Sequence, residues 1–291
     1  MKYAWIQDRR HRYATALLCR VLNVSRSGYY DWRKRAPSHQ YRQRQTIARL
    51  ARQYHERSHQ VYGYRKVHQD LRQEEQLACC SETVRKAMRA EGIRSRVRRK
   101  FVRTTHSNHS LAVAENTLNR DFTAAAVNQK WSADITYLRT QQGWLYLATI
   151  LDLFSRRIVG WAMSAGIDAA LVCDALRMAL QQRCPGKNLL HHSDRGVQYA
   201  ADAFQALLDL HGIECSMSRK GNCWDNAGQE SFFGKLKGEW IQDRIFSTRE
   251  ETRQDVFYYI EVFYNRQRRH AALGYVSPVE FEARHHKDNV A

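Results

Sequence analysis

The chain has 291 residues, of which 43% are hydrophobic, and its 15 Tyr, 7 Trp and only 3 Pro are typical of folded globular domains rather than of fibrous or disordered chains. No apolar run approaches the roughly 18 residues that a membrane span needs, and the charged N-terminus is not followed by the apolar stretch of a secretory signal. The seven Cys are scattered without a Cys-x-x-Cys pair, which disfavours disulfide frameworks and thiolate zinc sites and fits a reducing compartment.

The net charge of +18 is distributed unevenly along the chain. Residues 1–110 hold 26 Lys and Arg against 8 Asp and Glu, whereas residues 111–291 hold 21 of each. A basic segment joined to a neutral one indicates a nucleic-acid-binding part attached to a part with another task. Simple solubility is the alternative, but Arg outnumbers Lys, which favours contacts with phosphate.

Residues 1–40 predict a short helical hairpin. Leu17, Leu18, Val21 and Leu22 form one apolar face, a turn follows at 23–25, and Ser25 or Ser27 can cap the next helix. The pattern resembles a helix-turn-helix and equally a helical hairpin without a role in DNA binding. Both interpretations stay open.

Residues 41–93 predict two or three further helices in a basic, DNA-binding region. Ser81 is expected to cap the last of these helices and Gly92 to end it. The exposed basic positions of this helix would suit a groove or a row of phosphates, and they are Arg85, Lys86 and Arg89.

Residues 94–124 predict a basic linker and the clearest domain boundary. Its first part, RSRVRRKFVRTTHSNHS, carries six Lys and Arg. This composition suits contact with a DNA backbone, although a solvated connector is also compatible with it. The candidate contacts are Arg96, Arg98, Arg99 and Lys100.

Residues 125–243 predict a mixed five-stranded α/β domain. Three β-prone segments, at 131–140, 144–152 and 157–164, have short connections that imply antiparallel neighbours. Helices at 168–183 and 200–210 then alternate with strands at 188–193 and 213–217, before a last helix. Residues 244–291 predict a C-terminal helical extension of this core.

The helix that follows Gly221 has two distinct stripes at 100° per residue. The apolar stripe is expected to face the core and consists of Gln229, Phe232, Phe233, Leu236 and Trp240. A polar stripe about a third of a turn away consists of Asn226, Glu230, Gly234 and Lys237. Asp225 or Asn226 is expected to cap the helix. Taken alone, the polar stripe is most simply a solvated face.

Three acids of this domain are expected to converge. Asp134 lies in the middle of the first strand, where Asp is unfavourable unless something rewards it. Asp194 lies at the C-terminal end of the fourth strand, where ligand sites of α/β sheets form, and Glu230 lies on the last helix. Each acid alone could be a cap or a surface charge, but three converging carboxylates would need a cation. Oxygen ligands favour Mg²⁺ or Mn²⁺, and two such ions about 4 Å apart are typical of phosphodiester chemistry.

The acids and their surroundings carry a resemblance to a known family. With 59 residues between the first two acids and 35 between the last two, the pattern resembles the DDE transposases and retroviral integrases, which share a ribonuclease-H-like fold. Five segments resemble the OrfB product of the bacterial insertion-sequence family that is similar to retroviral integrases: NQKWSADITYL, YLATILDLFSRRIVGW, HHSDRGVQY, GNCWDNAGQESFFGKLKGE and YNRQRRHAALGYVSP. The resemblance covers nearly the whole chain.

The resemblance implies roles for individual residues. Asp134, Asp194 and Glu230 match the catalytic, metal-binding triad. Lys237 matches a basic residue that contacts the terminal DNA of the element, and Asn226 matches a motif residue near the glutamate or the substrate. Supporting positions, for which packing and DNA contact are alternatives at the last four, are His192, Ser193, Gln198, Tyr264, Asn265, Arg268 and His270. Asp152 lies outside the triad motif, and whether it touches the site stays open.

The resemblance also implies a DNA transposase that cuts element ends and joins them to target DNA, with two Mg²⁺ or Mn²⁺ ions per site. Because two DNA ends must be held together, we expect at least a homodimer, in the bacterial cytoplasm with the nucleoid. The upstream-frame product is an expected fusion or partner. The zinc-binding module of retroviral integrases is missing, so end recognition would fall to the basic helices or to a partner. The alternatives are a DNA-binding regulator or inactive partner, and a nuclease of the same fold.

Overall fold

A computed structural model of the chain describes residues 1–96, 113–219 and 223–288. Most of the expected basic linker, including Arg98, Arg99 and Lys100, lies outside the described residues. The second and third ranges contain the strands and helices on which the candidate site depends.

The N-terminal residues form three short helices with a core of their own. They are α1 (Lys2–Arg9), α2 (Thr15–Val21) and α3 (Arg26–Lys34). Ile6, Leu18, Cys19 and Tyr29 are buried together between them. The predicted hairpin corresponds to α2 and α3, and Ser25 caps α3 by accepting a hydrogen bond from the Gly28 N–H at 3.1 Å. The sequence did not predict α1, whose one fully buried residue is Ile6 and which also contacts α3 through Tyr3 and Gln7.

Three longer helices follow in the basic region: α4 (His39–Arg57), α5 (Tyr64–Gln73) and α6 (Ser81–Ala90). Gly92 adopts φ +69° just past α6, which agrees with the predicted stop. The predicted cap is wrong by one residue. Cys80 occupies the capping position and its side chain makes no capping bond to the helix, while Ser81 is the first helical residue.

The central sheet has five strands in the order β3-β2-β1-β4-β5. The strands are β1 (Lys130–Thr140), β2 (Gly143–Asp152), β3 (Ile158–Ser164), β4 (Leu190–Ser193) and β5 (Glu214–Met217). β2 is antiparallel to β1 and β3, whereas β4 runs parallel to β1 and β5 parallel to β4. The predicted ribonuclease-H-like class, a mixed five-stranded sheet preceded by an all-α region, is confirmed.

Helices cover both faces of the sheet. One face carries α7 (Ala169–Arg183) and α8 (Asp202–Leu210), and the other carries α9 (Ala227–Lys235), which continues as wider π-helical turns over Leu236–Ile241. Alternation along β2 divides the two cores, because Leu147 and Leu151 pack on the α9 side while Ala148 and Ile150 pack on the α7 side.

The C-terminal part closes the α9 side. It consists of α10 (Arg249–Phe257), its π-helical continuation Tyr258–Gln267, and α11 (Pro278–Asp288). The helices α4–α6 share one hydrophobic core with this side of the sheet. Polar contacts reinforce the junction: Arg269 donates to Asp70 at 2.5 Å, and the Tyr62 hydroxyl donates to the Gln267 carbonyl at 3.0 Å. Nowhere in the described ranges is a helix both long and apolar enough to cross a membrane.

Candidate active site

Asp134 lies on the face of β1 that α9 covers. Its neighbours on the same face show this directly, because the Ser132 hydroxyl donates to the Asn226 amide oxygen on α9's first turn at 2.6 Å. Across the sheet Asp134 pairs with Thr149, whose hydroxyl donates to the Gln229 side chain at 2.9 Å. The predicted grouping of Ser132, Asp134 and Thr136 on one face follows from the same alternation.

Asp194 directly follows β4 and approaches β1 from the side. β4 runs parallel to β1 with His192 opposite Ser132, so the chain leaves the sheet beside Asp134. The Gly196 N–H donates to the Asp194 carboxylate at 2.9 Å. A Cβ at Gly196 would lie only 2.9 Å from that same carboxylate oxygen, so a larger residue there would displace the Asp194 side chain.

Glu230 is held over the sheet by two side-chain amides of its own helix. Asn226, one turn earlier, accepts from Ser132 and donates to the Ala133 carbonyl at 3.2 Å. Gln229, immediately before Glu230, is fully buried and donates to the Thr149 carbonyl at 3.1 Å. These bonds tie both sides of Glu230's turn to β1 and β2, which fixes the angle at which its carboxylate leaves the helix.

Electrostatic coupling joins the three carboxylates. Burial raises the pKa of Asp134 well above its usual value, the negative charges of Asp194 and Glu230 raise that pKa further, and the Ile135 N–H and the Lys237 ammonium oppose the rise. Burial and the charges of Asp134 and Asp194 likewise raise the pKa of Tyr199. The three carboxylates therefore lie near enough to one another for their charges to interact and repel.

The donor chemistry of this site fits a hard divalent cation. The three acids offer only oxygen atoms, and a cation between them would relieve their repulsion. Within the parts of the chain that the structure describes, no group of three or more His, Cys, Asp or Glu side chains stands in a ready-made ligand arrangement. The acids are coupled through their charges rather than closed into a cage.

Lys237 lies beside the acids on the polar stripe of the helix. Its ammonium is 4.7 Å from the centre of the Tyr137 ring on β1. Burial lowers the pKa of Lys237, and the nearby charge of Asp134 opposes that effect. A cation therefore borders the carboxylates on the β1 side, where a DNA phosphate could meet it.

Two residues at the start of α9 act differently from expectation. Asn226 occupies the capping position without a capping bond, and its amide is committed to β1 and only 5% exposed, so it positions Glu230 rather than touching DNA. Asp225 does not cap the helix either. Its buried carboxylate accepts from Arg120 at 2.9 Å, from Asn116 at 2.9 Å and from Arg219 at 3.0 Å.

The residues around Asp194 support the strand end. His192 is buried between the hydroxyls of Ser216 and Ser218, at 2.9 and 3.1 Å, and burial lowers its pKa to about 4. The Ser193 hydroxyl donates to the Asp194 carbonyl at 3.0 Å. Gln198 donates to the Ile167 carbonyl at 3.4 Å, and its side-chain oxygen crowds the Cβ position of Gly196.

Four residues near the C-terminus, here called the closing motif, are buried and pack against the α9 side of the core: Tyr264, Asn265, Arg268 and His270. Tyr264 meets the Phe232 ring edge-on at 4.8 Å, and Asn265 bonds both backbone groups of Ile158. Arg268 is 4% exposed and donates to Glu239 at 2.6 Å. Burial lowers the pKa of His270 to about 2, and the charge of Arg268 adds to this effect. Of the two alternatives, these contacts favour packing.

Asp152 stabilises the turn between β2 and β3. Its fully buried carboxylate accepts from the N–H groups of Asn128, Phe154 and Ser155 at 2.8 to 3.0 Å. It lies opposite Trp131 at the far end of the strand pair from the β1–β2 turn. The open question about Asp152 is therefore answered by a structural role.

The basic candidates of α6 lie on its exposed surface. Arg85 makes two 2.7 Å hydrogen bonds to Glu82, Lys86 lies 4.0 Å from the same carboxylate, and Arg89 is exposed. Arg96 is exposed as well, and its backbone carbonyl accepts from Gln242 at 3.0 Å. This contact brings the start of the linker to the end of the α9 helix.

Sequence reasoning missed the positioning role of Gln229 and the ion pairs of Asp225. Gln229 was assigned to the core stripe, where a polar side chain among Phe and Leu is itself a signal that it bonds the sheet backbone. Two partners of Asp225, Asn116 and Arg120, lie 109 and 105 residues earlier in the chain, and no local sequence pattern predicts these contacts.

Models of known families match almost the whole chain beyond residue 41. An HTH-like domain matches residues 42–101, and two models of an integrase core domain match residues 124–223 and 230–285. The HTH-like match covers α4–α6 rather than the α2–α3 hairpin. These matches define a protein that joins a helical HTH-like domain to an integrase core.

Proteins similar in sequence show which family within this class the chain belongs to. The chain is 44% identical to the transposase InsF for insertion sequence IS3A of Escherichia coli over 97% of this chain and 98% of that protein. It is 42% identical to the uncharacterized 31 kDa protein of insertion element IS600 of Shigella sonnei, over 93% and 99% of the two chains. The chain therefore belongs to the family of insertion-sequence transposases that includes InsF of IS3. Among solved structures, the HTLV-2 integrase catalytic core domain in complex with magnesium is similar at a TM-score of 0.43 and 15% identity, over 55% of this chain and 99% of that one.

Proposed function

We propose that this transposase is a DDE polynucleotidyl transferase that cleaves DNA at the ends of its insertion sequence and joins those ends to target DNA. One observation supports the proposal: Glu230, fixed to β1 and β2 through Asn226 and Gln229, interacts electrostatically with Asp134, as does Asp194. Three oxygen donors from a central strand, a strand end and a covering helix suit phosphodiester chemistry.

The reaction consists of two in-line displacements. A water oxygen first attacks the phosphodiester at the element end and leaves a 3′-hydroxyl, which then attacks a phosphodiester of the target. When bound by Asp134, Asp194 and Glu230, two Mg²⁺ or Mn²⁺ ions would supply activation of the attacking oxygen and neutralisation of the leaving one. The protein's own groups position the DNA. Lys237 offers its ammonium to a phosphate beside the site, and the buried amides keep Glu230 in place.

The basic helices supply the remaining DNA affinity. The excess charge lies in residues 1–110, and the exposed cations of α6 face solvent. Because two ends are joined in one reaction, the active assembly contains at least two copies of the chain, with the upstream-frame product as a fusion or partner. The reaction takes place in the bacterial cytoplasm, at the nucleoid where its DNA lies.

The test incubates full-length protein with labelled element-end duplex and Mg²⁺, with and without the upstream-frame product. Strand-transfer products that need Mg²⁺ and disappear in Glu230→Gln support the proposal. Glu261→Gln, which removes a carboxylate that bonds the Trp161 indole on β3, is the matched control and keeps the activity. Cleavage without joining would favour a nuclease, and binding without cleavage would favour a regulator.

A further inference from the structure

An exposed tryptophan and a half-buried tyrosine form a platform at the β1–β2 hairpin, within reach of Lys237. Trp144 at the start of β2 is 46% exposed, and its ring meets Tyr137 of β1 edge-on, with centroids 5.0 Å apart and an interplanar angle of 83°. The Lys237 ammonium lies 4.7 Å from the same Tyr137 ring. The platform, defined as Tyr137, Trp144 and Lys237, thus combines two rings with a cation.

Strand alternation places Tyr137 and Trp144 on the opposite face of the sheet from Asp134, and the two faces meet at an edge of β1 that β4 does not cover. β4 pairs with β1 only over Lys130–Ser132, so Asp134 and Tyr137 follow where that neighbour has already left. Three residues along a strand span about 10 Å. Lys237 links the two positions, because its pKa responds to the charge of Asp134 while its ammonium rests on Tyr137.

Two hydrogen bonds from Arg249 hold the β1–β2 hairpin that carries Trp144. Arg249 at the start of α10 donates from its side chain to the Trp144 carbonyl at 3.1 Å, and its backbone N–H donates to the Gln142 side chain at 3.0 Å. A large aromatic side chain that is left half in water on a fixed backbone is poorly explained by core packing. Exposed rings flanked by cations are instead the chemistry with which proteins stack unpaired bases of nucleic acids.

We propose that Tyr137 and Trp144 form a stacking site for an unpaired nucleobase of the DNA end, along β1 from the phosphodiester held at Asp134. Lys237 contacts the phosphate of the same nucleotide. Duplex DNA buries its bases, so the site selects DNA whose terminal pairs are open, and stacking compensates for part of the cost of opening them. The proposal rests on the proposed function only in taking DNA as the substrate.

The test measures binding and needs no catalysis. The probes are a duplex of about 30 base pairs with a short 3′ overhang that contains 2-aminopurine, and the same duplex with a blunt end. In EDTA, wild-type protein is expected to quench the 2-aminopurine and to bind the overhang duplex about 5- to 100-fold more tightly than the blunt one, which is the range of one stacked base. Trp144→Ala is expected to reduce this preference to about twofold or less, whereas Trp144→Phe retains most of it.

Phe257→Ala is the matched control, because Phe257 is 50% exposed and its ring meets Trp161 on β3 rather than the platform. It is expected to behave as wild type. Quenching and overhang preference that survive in both Trp144→Ala and Trp144→Leu would overturn the stacking site, as would a wild type that shows neither. If the proposed function were wrong, the result would be distinguishable. Wild type would then give no strand transfer in Mg²⁺, whether or not it quenched the 2-aminopurine fluorescence. Thermal melting of each variant checks that the fold is intact.

Discussion

The buried carboxylate of Asp225 lies 2.9 Å from the guanidinium Nε of Arg120, which precedes it by 105 residues. Arg219 and Asn116 complete the cluster from the other side of the same carboxylate. Asn116 and Arg120 belong to the segment that leads into β1. Asp225 directly precedes Asn226, whose side-chain amide bonds the start of α9 to β1. The cluster therefore connects the entry of the integrase core to the helix that carries Glu230.

Removing this charge is expected to loosen the start of α9. Burial raises the pKa of Asp225, but the hydrogen bonds from Arg219 and Arg120 outweigh it and hold the pKa well below its usual value. Asp225→Asn should lower the free energy of unfolding by about 2 kcal/mol, below the usual cost of breaking a buried pair because both Arg are half-exposed. Urea denaturation at neutral pH measures this change.

The pH dependence of that difference follows from the sign of the shift. A depressed carboxyl pKa contributes stability that is present above the unfolded pKa of about 4 and is lost as the pH falls through the folded value. The wild-type advantage over Asp225→Asn should therefore be full at neutral pH and shrink in strong acid. A difference that stays constant down to the acid transition would contradict the ion-pair assignment.

Lys66 offers a second titration, in which the charged form of the side chain destabilises the fold. Its ammonium lies 4.8 Å from the centre of the Tyr62 ring, close to where α5 meets the C-terminal part of the chain. Burial lowers the pKa of Lys66 to about 7, and the charge of Arg268 lowers it further. Between that pKa and the unfolded value of about 10.4, the unfolded chain binds more protons, so stability rises with pH through this window. Lys66→Met should stabilise the protein by about 1–3 kcal/mol near pH 6 and by less near pH 9.5.

Chemical denaturation at the two pH values checks the Lys66 prediction. Lys86→Met is the control, since Lys86 is 74% exposed on α6 and should change stability little at either pH. A Lys66→Met gain that is as large at pH 9.5 as at pH 6 would show that packing, and not charge, is responsible.

The Arg268–Glu239 pair predicts strong non-additivity. Both side chains are nearly inaccessible, at 5% and 8% exposure. Glu239→Leu leaves the guanidinium buried without its counter-charge, for an expected loss of about 3–5 kcal/mol, and Arg268→Met leaves the carboxylate in the same position, whereas the double change Glu239→Leu with Arg268→Met should cost much less. A double-mutant cycle of unfolding free energies measures the coupling. Additive losses would mean that the two charges do not depend on each other.

DNA affinity should depend on the surface cations of α6 in a graded way. Arg89→Gln is expected to reduce the slope of log affinity against log salt by about 1 if Arg89 meets a phosphate. Arg85 is already bonded to Glu82, so Arg85→Gln should reduce the slope less. Arg177→Gln, an exposed ion-paired Arg of the neutral core, serves as the control, and an equal effect of all three would argue against a defined DNA path over α6.

Regular periodicity made much of the fold predictable. The alternation of β1 and β2 and the spacing of Phe232, Leu236 and Trp240 follow from local geometry, and all three of these side chains are buried as expected. The same alternation put Asp134 on the correct face, and the strand end put Asp194 beside it.

What the sequence could not predict depends on partners far apart in the chain. Asp225 looked like a helix cap because its local surroundings fit one, and only the folded chain brings Arg120 to it. Glu239 lies on neither stripe at 100° per residue, yet it is 6% exposed because Arg268 pairs with it from the C-terminal part of the chain. Long-range ion pairs leave no period in a sequence.

The central claim is that Asp134, Asp194 and Glu230 hold divalent ions together. Its most direct test is Mn²⁺ binding to the full chain, followed by electron paramagnetic resonance, for wild type, Asp134→Asn, Asp194→Asn, Glu230→Gln and the surface control Asp174→Asn. We expect the three site variants to lose most of the bound Mn²⁺ signal and Asp174→Asn to match wild type. Site variants that bind Mn²⁺ as wild type does would contradict it.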